Sequence, residues 1–330
     1  MTADDEKFLV FAAMRNEGAF IVEWVSWYRM LGFDVLIGTN DCNDHSGELL
    51  NALANAGWLS HFSHNPGANP PKQSAHRTMR KQPQVAATDW LLICDVDEFL
   101  VVHVGDGTVS ALLDTIGRDF LGVALHWQCF GTGGNKTYHD GLVHRQFLRR
   151  GTARNGVNRN FKSLFKQPLR YKRYSDHGPF IFDGVWGEGT NTFVNAEGKP
   201  IRRFMTAPHP VRISDLEDIT TINAQLNHYV IRSDESFDLK RGIPSASAHL
   251  DRYTDTFYEA RNRNGIEDQS ALAYAARFDP LHAAAMALPG VARLHHLCCA
   301  DYVVRLCAKK GADHRIDMRW LFHMGRAGAA

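Results

Sequence analysis

Apolar residues in the first hundred positions follow two alternating patterns. Uninterrupted apolar runs at 8–13, 35–37 and 90–94 have the length of short buried strands. Between them, apolar residues recur three or four positions apart over 20–31 and 49–53, which predicts amphipathic helices. This alternation predicts an α/β fold with a mostly parallel central sheet and right-handed crossovers, flanked by helices.

The rest of the chain is less regular. Residues 123–130 predict one more strand, and the glycines within 131–134 predict a flexible loop after it. From about residue 236 onward the pattern is helical. We therefore expect an α/β domain over 1–235 and a helical C-terminal extension over 236–330 that packs on it.

Three acidic residues, Asp95, Asp97 and Glu98, follow the apolar run at 90–94. Carboxylates are seldom buried unless they are paired or hold a metal, and open α/β sheets bind ligands at the carboxyl ends of their strands. On an extended chain Asp95 and Asp97 lie on one side and can share one Mg²⁺ or Mn²⁺, while Glu98 points away. The alternative is a pair of solvated loop acids or the first turn of a helix, because D-x-D strings are common.

Two polar stretches follow the first two predicted strands and should reach the same edge of the sheet. The sequence lacks both the G-x-G-x-x-G fingerprint and the P-loop, so a dinucleotide or P-loop site is not supported. The alternative for the second stretch is a polar turn, since Asn and Asp are common turn formers. Our candidate nucleotide-binding residues in these stretches are Arg15, Asn16, Glu17, Asn40, Asp41 and Asp44.

Composition narrows the class of protein. The 330 residues carry a net charge of +1, so nothing in the overall charge points to a nucleic-acid partner. No apolar run approaches the roughly 20 residues of a transmembrane segment, and the first residues lack a signal-peptide core. The six cysteines show no C-x-x-C spacing, which favours reduced thiols in a cytoplasmic protein.

Four ordered motifs resemble glycosyltransferases of family 2 and its relatives in family 92. The first, within 14–33, contains R-N-E, E-W and G-F; the second, at 40–44, is N-D-C-N-D. The third, at 90–100, contains D-V-D-E-F, and the fourth, within 227–242, contains N-H-Y followed by K-R-G. Arg232 stands in the fourth motif where lysine is usual. The resemblance covers about residues 8 to 242.

This resemblance implies a GT-A fold, and inverting transfer of a sugar from a nucleotide-sugar donor to a glycan or another hydroxyl acceptor. Asp95 and Asp97 would hold Mn²⁺ or Mg²⁺. His228 matches a late histidine that serves as a further metal ligand, and neutral imidazole suits Mn²⁺. The alternative is a structural histidine in a chain that has 17 of them. Lys162 matches a family lysine and is our preferred phosphate contact.

Two further features concern phosphate and the catalytic base. Residues 145–173 carry ten Lys or Arg and no acid, which suits a diphosphate or an anionic acceptor; the alternative is a solvated face. An inverting transferase needs a carboxylate base within reach of the acceptor hydroxyl. Glu188, Glu217–Asp218 and Glu267–Asp268 are candidates, and we select Asp268 and Glu188 as catalytic residues.

Two other functions fit the same D-x-D pattern. A metal-dependent nucleotidyltransferase or other phosphoryl-transfer enzyme also needs carboxylates around Mg²⁺. A non-catalytic sugar-binding protein would keep only the fold. A separate cluster of histidines and cysteines at 295–299 invites a zinc hypothesis, but adjacent residues fit a closed zinc site poorly, so we predict none there.

Overall fold

The computed structural model describes residues 6–182, 188–203, 211–247 and 250–329. The strands are β1 (Phe8–Met14), β2 (Asp34–Thr39), β3 (Ser60–Ser63), β4 (Trp90–Ile93), β5 (Glu98–Val102), β6 (Gly122–Cys129), β7 (Arg149–Arg150), β8 (Phe161–Lys166), β9 (Tyr171–Ser175), β10 (Gly178–Phe182), β11 (Phe193–Asn195), β12 (Ala224–His228) and β13 (Ile266–Glu267). The helices are α1 (Gly18–Met30), α2 (Ser46–Asn55), α3 (Pro71–Met79), α4 (Pro83–Ala86), α5 (Val109–Ile116), α6 (Val143–Gln146), α7 (Asp234–Lys240), α8 (Asp255–Arg261), α9 (Ala275–Met286), α10 (Val291–Lys310) and α11 (Met318–Ala329).

Within the described ranges, nine strands form one sheet in the order β3-β2-β1-β4-β8-β6-β12-β5, with β11 added beside β6. The N-terminal half is parallel, because β1 pairs with β2 and β4, and β2 pairs with β3. Strand β8 runs antiparallel between β4 and β6, and β12 runs parallel to β6 and antiparallel to β5. The predicted α/β class, a mostly parallel central sheet flanked by helices, is confirmed.

Helix α1 supports the backbone that carries the acidic residues. Its aromatic side chains are fully buried under the sheet, as the apolar spacing of the helix predicts. The Trp24 indole donates to the carbonyls of Asp95 at 3.0 Å and Glu98 at 3.2 Å. The Trp27 indole donates to the carbonyl of Leu100 at 2.8 Å. These bonds tie the turn and the start of β5 to the helix, so the helix fixes the position of the turn.

The C-terminal helices pack on the sheet domain, as the sequence predicts. Helix α10 lies against α1 and α2, and α9 lies against α1. The Tyr274 hydroxyl accepts from the amide of Val102 at 2.8 Å and donates to its carbonyl at 2.6 Å. The division into 1–235 and 236–330 stays a prediction; position 235 falls inside α7. Among the described residues, no helix has the length and apolar character needed to cross a membrane.

Candidate active site

A cavity of about 660 Å³ lies at the carboxyl ends of β1, β2 and β4. Its walls come from all parts of the chain, including the acidic turn after β4, the end of β12 and helix α10. Eleven charged side chains of the described chain line it, and the cations exceed the carboxylates by three. The cations are Arg15, Lys72, Lys162, Arg232, Lys240, Arg252 and Arg305, and the carboxylates are Glu17, Asp95, Asp97 and Asp176.

The acidic segment after β4 is a tight turn and not an extended chain. The Glu98 amide donates to the Asp95 carbonyl at 3.0 Å, and the Asp95 amide donates to Glu98 Oε2 at 2.7 Å. The prediction that Glu98 points away from the pair is therefore wrong, because the turn folds its side chain back under Asp95. Glu98 is fully buried, and this burial raises its pKa.

Both oxygens of Asp95 contact lysine ammonium groups. Lys72 Nζ lies 2.5 Å from Oδ1, and Lys162 Nζ lies 3.1 Å from Oδ2. Lys162 also lies 3.2 Å from Glu98 Oε2 and is 1% exposed, so its charge is held between two carboxylates. Although burial opposes the shift, Lys162 and Lys72 hold the pKa of Asp95 well below its usual range. The carboxylate is therefore ionised at neutral pH.

Asp97 contacts a histidine on one oxygen and a lysine on the other. His228 Nε2 lies 3.6 Å from Oδ1, and Lys240 Nζ lies 3.2 Å from Oδ2. The register of β12 against β5 pairs His228 with Glu98 and so brings the imidazole beside the acidic turn. Burial alone would lower the pKa of His228, but hydrogen bonds with Asp97 and Cys129 raise it to about 9.

The residues predicted to hold a divalent ion lie together in this cavity. Asp97 and His228 fit such an ion best, because a carboxylate oxygen and an imidazole nitrogen face each other 3.6 Å apart on the cavity wall. With a pKa of about 9 the imidazole is protonated at neutral pH, so an ion would bind there by displacing that proton. Asp95 has both oxygens occupied by lysines, so its direct ligation requires a lysine to move. The metal roles of Asp95, Asp97 and His228 stay predictions.

The loops after β1 and β2 meet at the cavity, as predicted. The Asn16 side chain donates to Asn43 Oδ1 at 2.7 Å and accepts from the Asn43 amide at 2.9 Å, which ties the two loops together. Asn16 has a φ of +56°, a left-handed conformation that asparagine tolerates better than most residues. The four predicted nucleotide-binding residues that line the cavity are Arg15, Asn16, Glu17 and Asn40.

Asp41 and Asp44 lie in the same loop but outside the cavity wall, as the described residues define it. Asp44 accepts from the Ser46 amide at 3.1 Å at the start of α2, and Asp41 accepts from the Asn40 side chain at 3.0 Å. Both carboxylates therefore organise the loop itself. Their prediction as direct nucleotide contacts has no support in this geometry.

The basic stretch 145–173 does not form a continuous cradle for phosphate. Lys162 is its member in the cavity wall of the described chain. Arg145 pairs with Asp279, and Arg149 lies 3.5 Å from Glu267. The stretch therefore contributes one buried cation to the cavity and uses others in surface ion pairs.

Several cavity residues escaped the sequence analysis as candidates. Arg232 and Lys240 belong to the fourth motif, but the sequence analysis predicts no function for either residue. Lys72 follows a proline-rich loop and Arg305 lies on α10, and neither position has a recognisable pattern. The Arg305 guanidinium donates to the carbonyl of Asn16 at 2.8 Å, so a helix near the C-terminus completes the wall of the first loop.

Comparison with known proteins finds matches among solved structures alone. No family model and no curated protein matches it. Among solved structures, residues 1–349 of TarS from S. aureus align over 97% of this chain and 90% of that chain, with 12% identity and a TM-score of 0.36. Glucosyl-3-phosphoglycerate synthase from Mycobacterium tuberculosis aligns over 38% and 45%, with 15% identity and a TM-score of 0.25.

The galactosyltransferase LgtC aligns over 67% of this chain and 86% of that chain, with 11% identity and a TM-score of 0.30. The chain spans 23%, 38% and 45% of the first three solved structures that it matches. TM-scores below 0.5 do not establish a shared activity, so the function must come from the chemistry of the site.

The two residues predicted as catalytic lie away from the cavity wall that the described residues form. Glu188 is exposed on the surface. Asp268 accepts from Arg150 Nε at 2.5 Å, from Gln225 Nε2 at 3.0 Å and from the Ser270 amide at 3.0 Å. A carboxylate with three donors is held in a structural network. The structure therefore does not bring Asp268 or Glu188 to the place where an acceptor would bind.

Proposed function

We propose that this chain is a metal-dependent GT-A glycosyltransferase that moves a sugar, with inversion, from a nucleotide-sugar donor to a glycan or another hydroxyl acceptor. The observation that carries the proposal is the meeting of Asp95, Asp97 and His228 with seven cationic side chains in one cavity. A nucleotide diphosphate needs such cations, and a divalent ion needs such acids. The position at the carboxyl edge of parallel strands suits a nucleotide.

Arg232 is the cation best placed to receive a phosphate. It is 3% exposed, lies on the cavity wall and has a φ of +59°, so the backbone is held in a left-handed conformation to present it. Its Nε and Nη2 have no hydrogen-bond partner within the described residues. Buried guanidinium donors without partners are costly, and a diphosphate supplies the missing acceptors.

Asp97 and His228 would hold the divalent ion beside these cations. When bound, the ion supplies Lewis-acid stabilisation of the diphosphate leaving group. Asp95 orients Lys72 and Lys162 in the cavity through its two carboxylate oxygens. Lys240 bonds the Val230 carbonyl at 2.8 Å as well as Asp97, so it stays in place when the Asp97 carboxylate turns toward an ion.

Trp127 provides an aromatic wall for a sugar ring. Its ring centroid lies 4.2 Å from that of His228 and 5.6 Å from that of His177, and all three residues line the cavity. An indole has an apolar face that suits the C–H surface of a hexose. We therefore place the transferred sugar between the acidic turn and Trp127.

Asp176 is our proposed catalytic base. Of the four cavity carboxylates, Asp95 and Asp97 serve the cations and the ion, and Glu17 lies 3.5 Å from Arg232. Asp176 lies 3.8 Å from Lys72 and 3.9 Å from His76. Burial opposes the shift, but Lys72 and His76 hold the pKa of Asp176 below its usual range, so the carboxylate is ionised at neutral pH.

A pair of matched substitutions separates a catalytic from a structural carboxylate. We expect Asp176→Asn to abolish most turnover while leaving the Kd for the nucleoside diphosphate unchanged. We expect Asp268→Asn to leave turnover unchanged and to lower the melting temperature, because asparagine presents a donor to Arg150 and Gln225. The opposite result, lost turnover with an unchanged melting temperature in Asp268→Asn, would restore Asp268 as the base.

The same carboxylate predicts a pH dependence of stability. Burial alone would raise the pKa of Asp268, but hydrogen bonds from Ser270, Gln225 and Arg150 lower it from 3.8 to about 2. A carboxyl group with a lowered pKa stabilises the fold above its unfolded pKa. We expect this contribution at pH 5 to 7, and its loss as the pH falls from about 4 through 2. The difference in melting temperature between wild type and Asp268→Asn should shrink over that interval.

A ligand screen tests the proposed donor directly. A nucleoside diphosphate sugar should raise the melting temperature more in Mn²⁺ than in EDTA, because a ligand that binds only the folded state stabilises it by mass action. NAD and ATP serve as controls, because both carry phosphate groups on a nucleoside but no hexose to transfer. Equal stabilisation by NAD, or by ATP alone, would contradict the proposed donor class.

His228→Ala tests the metal role of the histidine. We expect Mn²⁺ to bind at least about tenfold more weakly to this variant, because one nitrogen ligand is lost. His126→Ala is a matched control: His126 is a buried histidine on neighbouring β6, bonded to Ser214 Oγ at 2.8 Å. Titration of Mn²⁺ by isothermal calorimetry should show no change for the control. Wild-type affinity in His228→Ala would mark His228 as structural.

A further inference from the structure

Four potential metal ligands from three parts of the chain meet outside the cavity. Helix α10 presents His295 and Cys299, which are four residues apart and so lie on one face of the helix. Helix α11 brings His323, and the loop before α6 brings Asp140. Asp140, Cys299 and His323 have ligand atoms within 4.8 Å of one another.

Three of these ligand atoms form a nearly regular triangle. Asp140 Oδ1 lies 3.9 Å from His295 Nε2 and 4.0 Å from Cys299 Sγ, and His295 Nε2 lies 3.6 Å from Cys299 Sγ. Ligands at about 2.0–2.3 Å around a tetrahedral zinc ion are separated by roughly 3.3–3.8 Å. If each of these three distances shortened by a few tenths of an ångström, the three atoms could all bind one zinc ion.

The surroundings favour metal binding over a set of solvated side chains. Cys299 and His323 are buried, and His295 is 13% exposed. His295 Nδ1 is buried and has no hydrogen-bond partner within the described ranges. His296 Nδ1 lies 3.1 Å from His323 Nδ1, which holds the His323 ring in orientation.

We propose that Asp140, His295, Cys299 and His323 bind one Zn²⁺ ion. Sulfur, nitrogen and oxygen donors in a four-ligand set suit this ion. The expectation from the sequence was the opposite, because it rested only on the neighbouring residues at 295–299. The fold instead pairs His295 with Cys299 one helical turn away and adds Asp140 and His323 from distant positions.

The proposed ion would join α10, α11 and the loop before α6. Helix α10 also carries Tyr302 and Arg305 to the wall of the candidate active site. A zinc centre at Cys299 would therefore fix the helix one to two turns before these residues. Its role would be structural, because four protein ligands leave no position open for a substrate.

The test uses the full-length chain, stripped of metal and then titrated with Co²⁺ as a spectroscopic probe for the zinc site. We expect one equivalent of Co²⁺ to give a cobalt–thiolate absorption band, and Zn²⁺ to displace it. Elemental analysis after dialysis against Zn²⁺ and gel filtration should give one zinc per chain. Zn²⁺ should also raise the melting temperature of the stripped protein.

Two variants and one control locate the ion. Cys299→Ser and His323→Gln keep the approximate size of each side chain, and both should lose the band and the retained zinc. Cys298→Ser is the control, because Cys298 is the adjacent buried cysteine and lies outside the cluster. Circular dichroism establishes that each variant is folded.

Three outcomes would overturn the proposal. One is a wild-type chain that retains no zinc and shows no thiolate band. Another is a band that persists in Cys299→Ser, which would assign the thiolate elsewhere, for example to Cys129 beside His228. The third is loss of zinc in Asp97→Asn, which would place the ion in the candidate active site.

Discussion

Asp97→Asn is expected to lower sugar transfer by at least about 100-fold, the scale seen when one electrostatic stabiliser of a transition state is removed. Asp97 faces His228 on one oxygen and Lys240 on the other, so it is the carboxylate best placed to share an ion with an imidazole. Asparagine keeps the shape but not the charge that holds a divalent cation. Asp95→Asn should have a loss of similar size, because it releases Lys72 and Lys162 from their positions.

The structure also changes the expected effect of these substitutions on stability. From the sequence alone, clustered carboxylates repel one another, and neutralising one should stabilise the metal-free protein. In the structure each carboxylate contacts ammonium groups, so its removal leaves buried cations without a partner. We therefore expect Asp95→Asn and Asp97→Asn to melt at a lower temperature than the wild type.

Glu98→Gln provides the control for activity. Glu98 is buried below the turn and lies outside the cavity wall, and its Oε2 accepts from the Asp95 amide. Glutamine keeps this acceptor, so the turn should persist and turnover should fall far less than in Asp97→Asn. Nucleoside diphosphate release in Mn²⁺ gives the comparison. Full activity in Asp97→Asn would show that sugar transfer does not depend on the acidic turn.

Lys162→Met is expected to have the largest effect on stability. Lys162 is 1% exposed and lies between Asp95 and Glu98 at 3.1 and 3.2 Å. Methionine fills similar space but leaves buried carboxylates uncompensated, and breaking a buried ion pair in this way costs about 3–5 kcal/mol. Chemical denaturation should show a loss of this size. Donor binding should also weaken, and added salt should weaken the wild type more than the variant.

A neighbouring lysine on the same strand is the matched control. Lys166 is only partly buried, with its Nζ 5.0 Å from the centre of the Trp90 ring and bonded to the Arg118 carbonyl. Lys166→Met leaves no buried carboxylate unpaired, so its cost should be about 1 kcal/mol. Equal stability of Lys162→Met and wild type would show that these buried ion pairs make no net contribution to the free energy of unfolding. Unchanged donor affinity would show that Lys162 does not contact the phosphates of the donor.

The sequence predicts the N-terminal half of the fold well for a physical reason. Buried parallel strands and amphipathic helices leave separate apolar patterns, and each pattern is local in the chain. The motifs also lead to the correct region of the fold, although several motif residues bond the surrounding backbone and do not line the cavity. Glu23, for example, is buried and accepts from the amides of Val143 and His144 at 2.8 and 3.1 Å. It fixes a distant segment and is not one of the described residues that line the candidate active site.

The side chains that escaped prediction depend on contacts between distant segments. Arg305 reaches Asn16 across 289 positions, and Lys240 reaches Asp97 across 143. Glu98 was misplaced because the rule for extended chains fails in a turn closed by its own side chain. The sequence alone does not distinguish a structural from a catalytic role for Asp268, because only the fold shows that Arg150 and Gln225 donate to it.

The most direct test of the central claim is to identify the product released from a nucleoside diphosphate sugar in Mn²⁺. The proposed glycosyltransferase releases free nucleoside diphosphate, to water or to a hydroxyl acceptor, and Asp97→Asn should lose this activity. A nucleotidyltransferase would instead release pyrophosphate from a nucleoside triphosphate. Binding of the nucleotide sugar without any product would indicate a sugar-binding protein. Pyrophosphate as the product, or nucleoside diphosphate release that persists in Asp97→Asn, would contradict the account.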